Sequence, residues 1–235
     1  MTKPNTLMIA IACVALSLLS SSCNGQANKK HEQDQSGHTH QAFVDKDAVE
    51  KMAKNVESAE RDSMQQPQKV LQLMGNLNGK KIMDIGAGTG YFSVRFANAG
   101  ATVIAADVSD GFQDYLKDRI TKEKIENIEL RKIPYDNPLL KENEVDIVFV
   151  ANTYHHIENR VAYFSEVYKG LKPDGELVVV DYFKVEFEDK IQAPAMAMRV
   201  SVDQVIFELK KAGFESFDIE VDLLVYQYII RAKKK

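Results

Sequence analysis

The stretch "DIGAGTGYFS", residues 84–93, gathers glycines and an acid as if for a bound molecule. Gly86, Gly88 and Gly90, with Ala87 between them, let a backbone turn approach a ligand closely, and Asp84 stands just before them. A dinucleotide fingerprint requires G-x-G-x-x-G, but the position that would complete it is Tyr91, so the pattern here is G-x-G-x-G. A pyrophosphate seeks helix-terminal N–H groups with no anion beside them. Asp84 therefore favours a cationic ligand over a phosphate. A second acid, Asp107, closes the next apolar segment 21 residues after Gly86, where a carboxylate can accept both hydroxyls of a ribose.

Close backbone approach, a carboxylate for an ammonium and a carboxylate for a sugar are together the complement of S-adenosylmethionine, which carries no phosphate. Downstream, "ANTYHHIENR" (151–160) places Asn152, Tyr154, His155 and His156 after the fourth strand-like run, "DIVFV". An imidazole with an unperturbed pKa of about 6.5 suits proton removal near neutral pH. His155 is preferred to His156 as a base or acceptor contact, since adjacent residues rarely face one target, and His156 would otherwise pack or cap the helix that follows. Two adjacent histidines with no third ligand nearby make a poor metal site, so no metal is assigned.

These residues must be held by elements that alternate along the chain. "KKIMDIG", "ATVIAADV", "NIELRKI", "EVDIVFVAN" and "GELVVVDYF" read as strands, separated for the most part by segments with helical apolar spacing. Such alternation predicts an α/β fold with a doubly wound, mostly parallel sheet of seven strands. The last two strands, "FDIEVDLL" and "VYQYIIRA", follow each other directly and predict an antiparallel hairpin at the edge. Ahead of the sheet, helices are expected from Asp47, with Val49, Met52, Ala53 and Val56 on one face, and from Pro67 to Gly75. Asp146 falls at the entry of its strand, opposite the ligand end, and reads as structural.

The ordered motifs resemble the class I S-adenosylmethionine-dependent methyltransferases. "DIGAGTGYFS" is similar to their first motif, Asp107 to their ribose acid, "EVDIVFVANTYHHI" to their fourth-strand motif, and "LKPDGELVVVDY" to their fifth strand and its preceding turn. The resemblance runs from about residue 60 to the end, and it implies the Rossmann-like fold and S-adenosylmethionine as cofactor. It also implies that Asp84 and the Gly86–Gly90 turn hold the methionine end, Asp107 the ribose and Val108 the adenine, with Asn152 at the donor site. Many relatives carry an acid before a Leu-Pro pair for the adenine amino group; here the segment is "LRKIPYDNP", and Asp136 is the nearest acid. The acceptor implied is a small molecule, with Tyr154 and Arg199 as contacts and Met196 and Met198 in the segment over the pocket mouth. The formal charge of -4 offers no basic field for nucleic acid.

The amino terminus reads differently. Lys3 precedes an apolar run from Leu7 to Leu19, shorter than the roughly 20 residues a membrane span needs. Serines and Cys23 follow, which resembles a bacterial lipoprotein signal, although Ser20 stands where leucine is usual. The expected organisation is a signal over 1–22, lipidation at Cys23, a flexible tether over 23–41 and a methyltransferase domain over 42–235, with N-terminal helices over 42–78 and the sheet core over 79–235. An uncleaved signal anchor is the alternative. His31, His38 and His40 lie in the tether, on a polar segment without apolar period, and read as solvated. Apart from Cys23 the only cysteine is Cys13, inside the signal, so the folded domain carries no thiol. The localisation implied is the bacterial envelope through a lipid anchor, or the cytoplasm if the signal is unused. A non-catalytic adenosyl or small-ligand binding module on the same fold is the competing function.

Overall fold

The computed structural model describes residues 46–234; the signal, Cys23 and the tether lie outside them. Three helices come first: α1 (Lys46–Val56), α2 (Ala59–Gln65) and α3 (Pro67–Met74). The sequence reading lacked α2. Ser58 begins it by accepting a hydrogen bond from the Arg61 N–H at 3.2 Å, and Gln66 ends it in the left-handed region at φ 40°. Pro67 then opens α3, its missing N–H harmless at a first helical position.

The remainder alternates as expected: β1 (Lys81–Ile85), α4 (Tyr91–Asn98), β2 (Thr102–Asp107), α5 (Asp110–Glu123), β3 (Ile128–Lys132), β4 (Val145–Ala151), α6 (Arg160–Gly170), β5 (Leu171–Tyr182), α7 (Val202–Lys211), β6 (Ser216–Glu220) and β7 (Gln227–Lys233). They form one seven-stranded sheet in the order β3-β2-β1-β4-β5-β7-β6. Strands β1 to β5 are parallel, and β7 runs antiparallel between β5 and β6. Strand order therefore reverses between β1 and β4, and the crevice beyond their carboxyl ends is where such a sheet takes a ligand.

Two boundaries differ from the sequence reading. In β5, Leu171 pairs with Val145 but Glu176 pairs with Ile147, so "KPDG" is an irregularity at the strand entry, with Asp174 at φ 61°. The hairpin is looser than adjacency suggests: β6 stops at Glu220, whose carboxylate accepts the N–H groups of Asp222 (2.8 Å) and Leu223 (3.1 Å). Val221 and Val225 are left exposed in this connection, while Leu224 tucks into the core.

Apolar layers cover both faces of the sheet. Phe96 and Phe149 pack edge to face at 4.9 Å beneath α4, with Phe92 at 4.7 Å from Phe149. Each such buried ring contributes on the order of 2–3 kcal/mol. On the other face Phe164, Val167, Val205 and Leu209 of α6 and α7 close over Val148, Val150, Leu177 and Val179. Both faces being dry, the strand ends are where polar side chains can gather. Asp146, at the amino end of β4, accepts from the Lys81 N–H at 2.8 Å and pairs with Lys172 at 2.9 Å.

Candidate active site

The glycine turn leaves β1 at its carboxyl end and enters α4. Its N–H groups are largely committed: Gly86 and Ala87 donate to the Ala106 carbonyl at 2.9 and 3.1 Å, and Gly88 donates to Asp107 Oδ2 at 2.8 Å. A Cβ on Gly86, at φ 74°, would overlap the Thr153 side chain, so the turn presses against the segment after β4. A Cβ on Gly88 would meet nothing nearer than the Gly86 carbonyl at 4.0 Å, so here the backbone itself is the surface a ligand would meet.

Asp107 ends β2 and is buried, its Oδ1 accepting from the Ser109 N–H at 2.8 Å. Burial pushes its carboxyl up from the ordinary value, against the pull of the Gly88 and Ser109 N–H groups. Asp84 is 3% exposed and accepts from the Ser93 hydroxyl at 2.6 Å. Burial first, and then the Asp107 charge, push its carboxyl up to about 7. Among the described residues no cation is hydrogen-bonded to either acid. Two buried carboxylates beside an open glycine face form a cradle short of positive charge, the chemistry that fits a cationic, ribose-bearing ligand and rejects a phosphate. Val108 is half-buried beside Asp107. Ala87 is buried beneath the turn, and Asp136 is exposed beyond β3.

N-terminal helices brace this turn. Arg119 on α5 pairs with Glu57, just past α1, and donates to the Thr89 carbonyl at 3.0 Å, while the Thr89 hydroxyl donates to Glu57 at 3.2 Å. Asn152, at φ 54° after β4, sits in a closed ring of three amides. Its Nδ2 donates to Gln65 Oε1 (3.0 Å), Gln65 Nε2 donates to Gln227 Oε1 (2.8 Å), and Gln227 Nε2 donates back to Asn152 Oδ1. The ring ties α2 and β7 to the end of β4. The pairing of Gln65 with Gln227 spans 162 residues and leaves no local trace in sequence.

The two histidines part company in a single 3-10 turn, Tyr154–His156. His155 turns inward, and its Nδ1 lies 2.9 and 3.0 Å from the two carboxylate oxygens of Asp181 near the end of β5. Asp181 is fully buried and also accepts the N–H groups of His155 (3.2 Å) and Tyr182 (2.7 Å). A carboxylate can only accept, so Nδ1 carries a proton, and whenever the ring is neutral Nε2 is the nitrogen left as a base. His155 helps line a cavity of about 350 Å³ with Arg160, Lys184, Met198, Arg199 and Gln204. His156 is exposed, its ring 4.2 Å from that of His155. Asp181 was missed in the sequence reading; the signal was a lone acid inside the apolar run "LVVVDYF".

The two expected acceptor contacts are placed differently. Tyr154 is fully buried, stacked on Phe164 at 4.9 Å, and its hydroxyl donates to Glu208 at 2.7 Å. It points into the core, because an aromatic ring following an apolar strand gains more from burial than from lining a wet pocket. Arg199 borders the cavity, but its guanidinium is occupied with backbone: Nε donates to the Pro194 carbonyl (2.7 Å) and Nη1 to that of Val185 (2.7 Å). It organises the segment over 184–200 on which Met196 and Met198 lie half-buried.

Residues 83–179 match the family model described as a methyltransferase domain. A ubiquinone/menaquinone biosynthesis C-methyltransferase of Hydrogenovibrio crunogenus is 29% identical over 119 residues, 49% of this chain and 47% of that relative. The chain spans about half the length of several curated relatives it matches. Among solved structures, an S-adenosylmethionine-dependent methyltransferase from Aquifex aeolicus superposes with a TM-score of 0.72 at 24% identity, covering 82% of this chain and all of that one. A 4+2 cyclase superposes at 0.58 with 17% identity, over 67% of this chain and 75% of its own. These likenesses establish the mixed seven-stranded methyltransferase-type fold, and the cyclase shows that the fold hosts more than one chemistry.

Proposed function

We propose that the chain is an S-adenosylmethionine-dependent methyltransferase acting on a small-molecule acceptor. The observation that carries this reading is the open face of Gly88 between two buried carboxylates, Asp84 and Asp107, to which no cation among the described residues is hydrogen-bonded. In this reading Asp107 holds the ribose hydroxyls, Val108 borders the adenine, and the Gly86–Gly90 turn with the field of Asp84 holds the methionine end. When bound, the donor supplies an electrophilic methyl group on a sulfonium. Its transfer is an in-line displacement, for which alignment of the acceptor supplies much of the rate.

His155 takes the acceptor's departing proton at Nε2. Asp181 fixes the tautomer and stabilises the imidazolium that forms, and such a base contributes about 100-fold or more. Of the cations on the cavity edge Arg160 is paired with Glu208 at 2.7 Å, which leaves Lys184 to meet an acceptor that becomes or already is anionic. Asn152 serves through the amide ring, holding α2 over the donor crevice. We further propose that the domain is held at the bacterial envelope by a lipid on Cys23.

Titration calorimetry with S-adenosylmethionine and S-adenosylhomocysteine tests the donor site. Binding of both is expected, with Asp107→Ala reducing it at least tenfold. A folded protein that binds neither would overturn the assignment. Binding without methyl transfer to any acceptor would favour a non-catalytic module. Loss of labelled palmitate on Cys23→Ser is the expected outcome for the anchor, and palmitate incorporation that survives would sink it.

A further inference from the structure

Arg61 lies outside the matched methyltransferase region and has an unusual environment. It sits on α2 four residues before Gln65, so the two side chains share one helix face. Gln65 reaches the end of β4 through the amide ring, which puts Arg61 over the same carboxyl edge of the sheet, about one helical turn away. Its guanidinium carbon is 5.2 Å from the centre of the Tyr91 ring, the residue immediately after the glycine turn. Tyr182, at the end of β5, is near enough to act on its charge.

Among the described residues, no carboxylate is paired with that guanidinium. The adjacent Asp62 is engaged elsewhere, accepting from the Tyr91 hydroxyl at 2.5 Å and from Arg95 at 3.0 Å. The buried Nε of Arg61 has no hydrogen-bond partner among them either. A buried donor left in this state keeps its desolvation penalty uncompensated, and the penalty is larger when the group is charged. Such a group is expected where a ligand completes it.

Sheet order says which part of a ligand arrives there. With the ribose at Asp107 on β2, the amino-acid end of the donor must run across β1 toward β4, since the order is β2-β1-β4-β5. Two strand spacings are about 10 Å, within reach of an extended amino-acid chain. Arg61 lies on that side, between the residues following β1 and those ending β5. On the strength of the donor site proposed above, we propose that Arg61 binds the carboxylate of the donor's methionine moiety, so that α2 forms one wall of the donor site. Arg61 is then a binding residue, with Tyr91 as the ring it slides along.

The test compares two ligands on the full chain by calorimetry. S-adenosylhomocysteine carries the amino-acid carboxylate, and 5′-methylthioadenosine lacks it. Arg61→Gln is expected to weaken S-adenosylhomocysteine at least tenfold while leaving 5′-methylthioadenosine within twofold, and Arg61→Lys should fall between. Unchanged S-adenosylhomocysteine affinity would overturn the proposal and leave an anionic acceptor as the partner of Arg61. Equal weakening of both ligands would also overturn it, pointing to displacement of α2. Wild-type protein that binds neither ligand would instead defeat the donor site itself.

Discussion

Replacing Asp84 by asparagine separates what the fold wants from what the site needs. The carboxyl of Asp84 is raised by burial, and further by Asp107, from 3.8 to about 7. The folded state therefore holds a proton that the unfolded chain has released between those values. Stability falls as pH climbs from about 4 to about 7 and is level above. The full span corresponds to at most ~4 kcal/mol, and relaxation around the charge lowers the realised value. The Asp84→Asn side chain would keep an acceptor for the Ser93 hydroxyl and remove the charge, so at pH 8 the variant should be more stable by about 2 kcal/mol. For a domain of this size that is roughly 4–8 °C in Tm. At pH 5, about a third of the way up that span, the gap should narrow to less than half its pH 8 value, and it should close only below about pH 4, where the unfolded chain is protonated too. Scanning calorimetry at both pH values measures this, and S-adenosylhomocysteine titration at pH 8 should show binding weakened about tenfold. A Tm difference that is the same at pH 5 and pH 8, or a variant that gains stability with undiminished binding, would refute the argument that this buried charge is maintained for a ligand.

Other consequences follow from the same geometry. Nitrogen-15 NMR of the His155 ring, at a pH where it is neutral, should report the Nδ1–H tautomer, and Asp181→Asn should lose that preference; a neutral wild-type ring protonated at Nε2 would remove the proposed base. With an acceptor in hand, His155→Asn should lower turnover about 100-fold with S-adenosylhomocysteine affinity unchanged, whereas full activity would leave alignment as the only catalytic device. At the opposite end of the sheet, hydrogen bonds from Arg131, with help from the Lys141 N–H and Lys81, hold the Glu144 carboxyl down at about 2. Its folded value lies below the ordinary one of 4.5, so its contribution is present above about 4.5 and is lost as pH falls toward 2. Glu144→Gln should cost about 2 kcal/mol in urea unfolding at pH 7, less at pH 3, and should not change ligand binding.

The parts of this molecule that were legible in its sequence are those written locally. Apolar runs bounded by glycine and acid give the parallel strands, and the G-x-G-x-G spacing gives the turn, because both depend on neighbours within a few residues. What escaped depends on contacts over long separations. Ser58 and Gln66 bound a helix, α2, whose own sequence is polar nearly throughout, so no apolar stripe announced it. Its purpose is visible only when Gln65 meets Asn152 and Gln227 across the sheet edge. Tyr154 and Arg199 show a related limit: a residue's place in the chain says that it is near the crevice, whereas what its side chain bonds to is decided by what lies beside it. For Tyr154 that is Glu208 on α7, and for Arg199 it is a set of backbone carbonyls. His155 and Asp181 combine both cases. Each sits where the local pattern puts a strand end, yet only the parallel pairing of β4 with β5 turns one imidazole and one buried acid into a base whose protonated nitrogen is already chosen. The chemistry proposed for this site thus rests on a register, Ala151 beside Val180, that carries His155 and Asp181 to the ends of two neighbouring strands together.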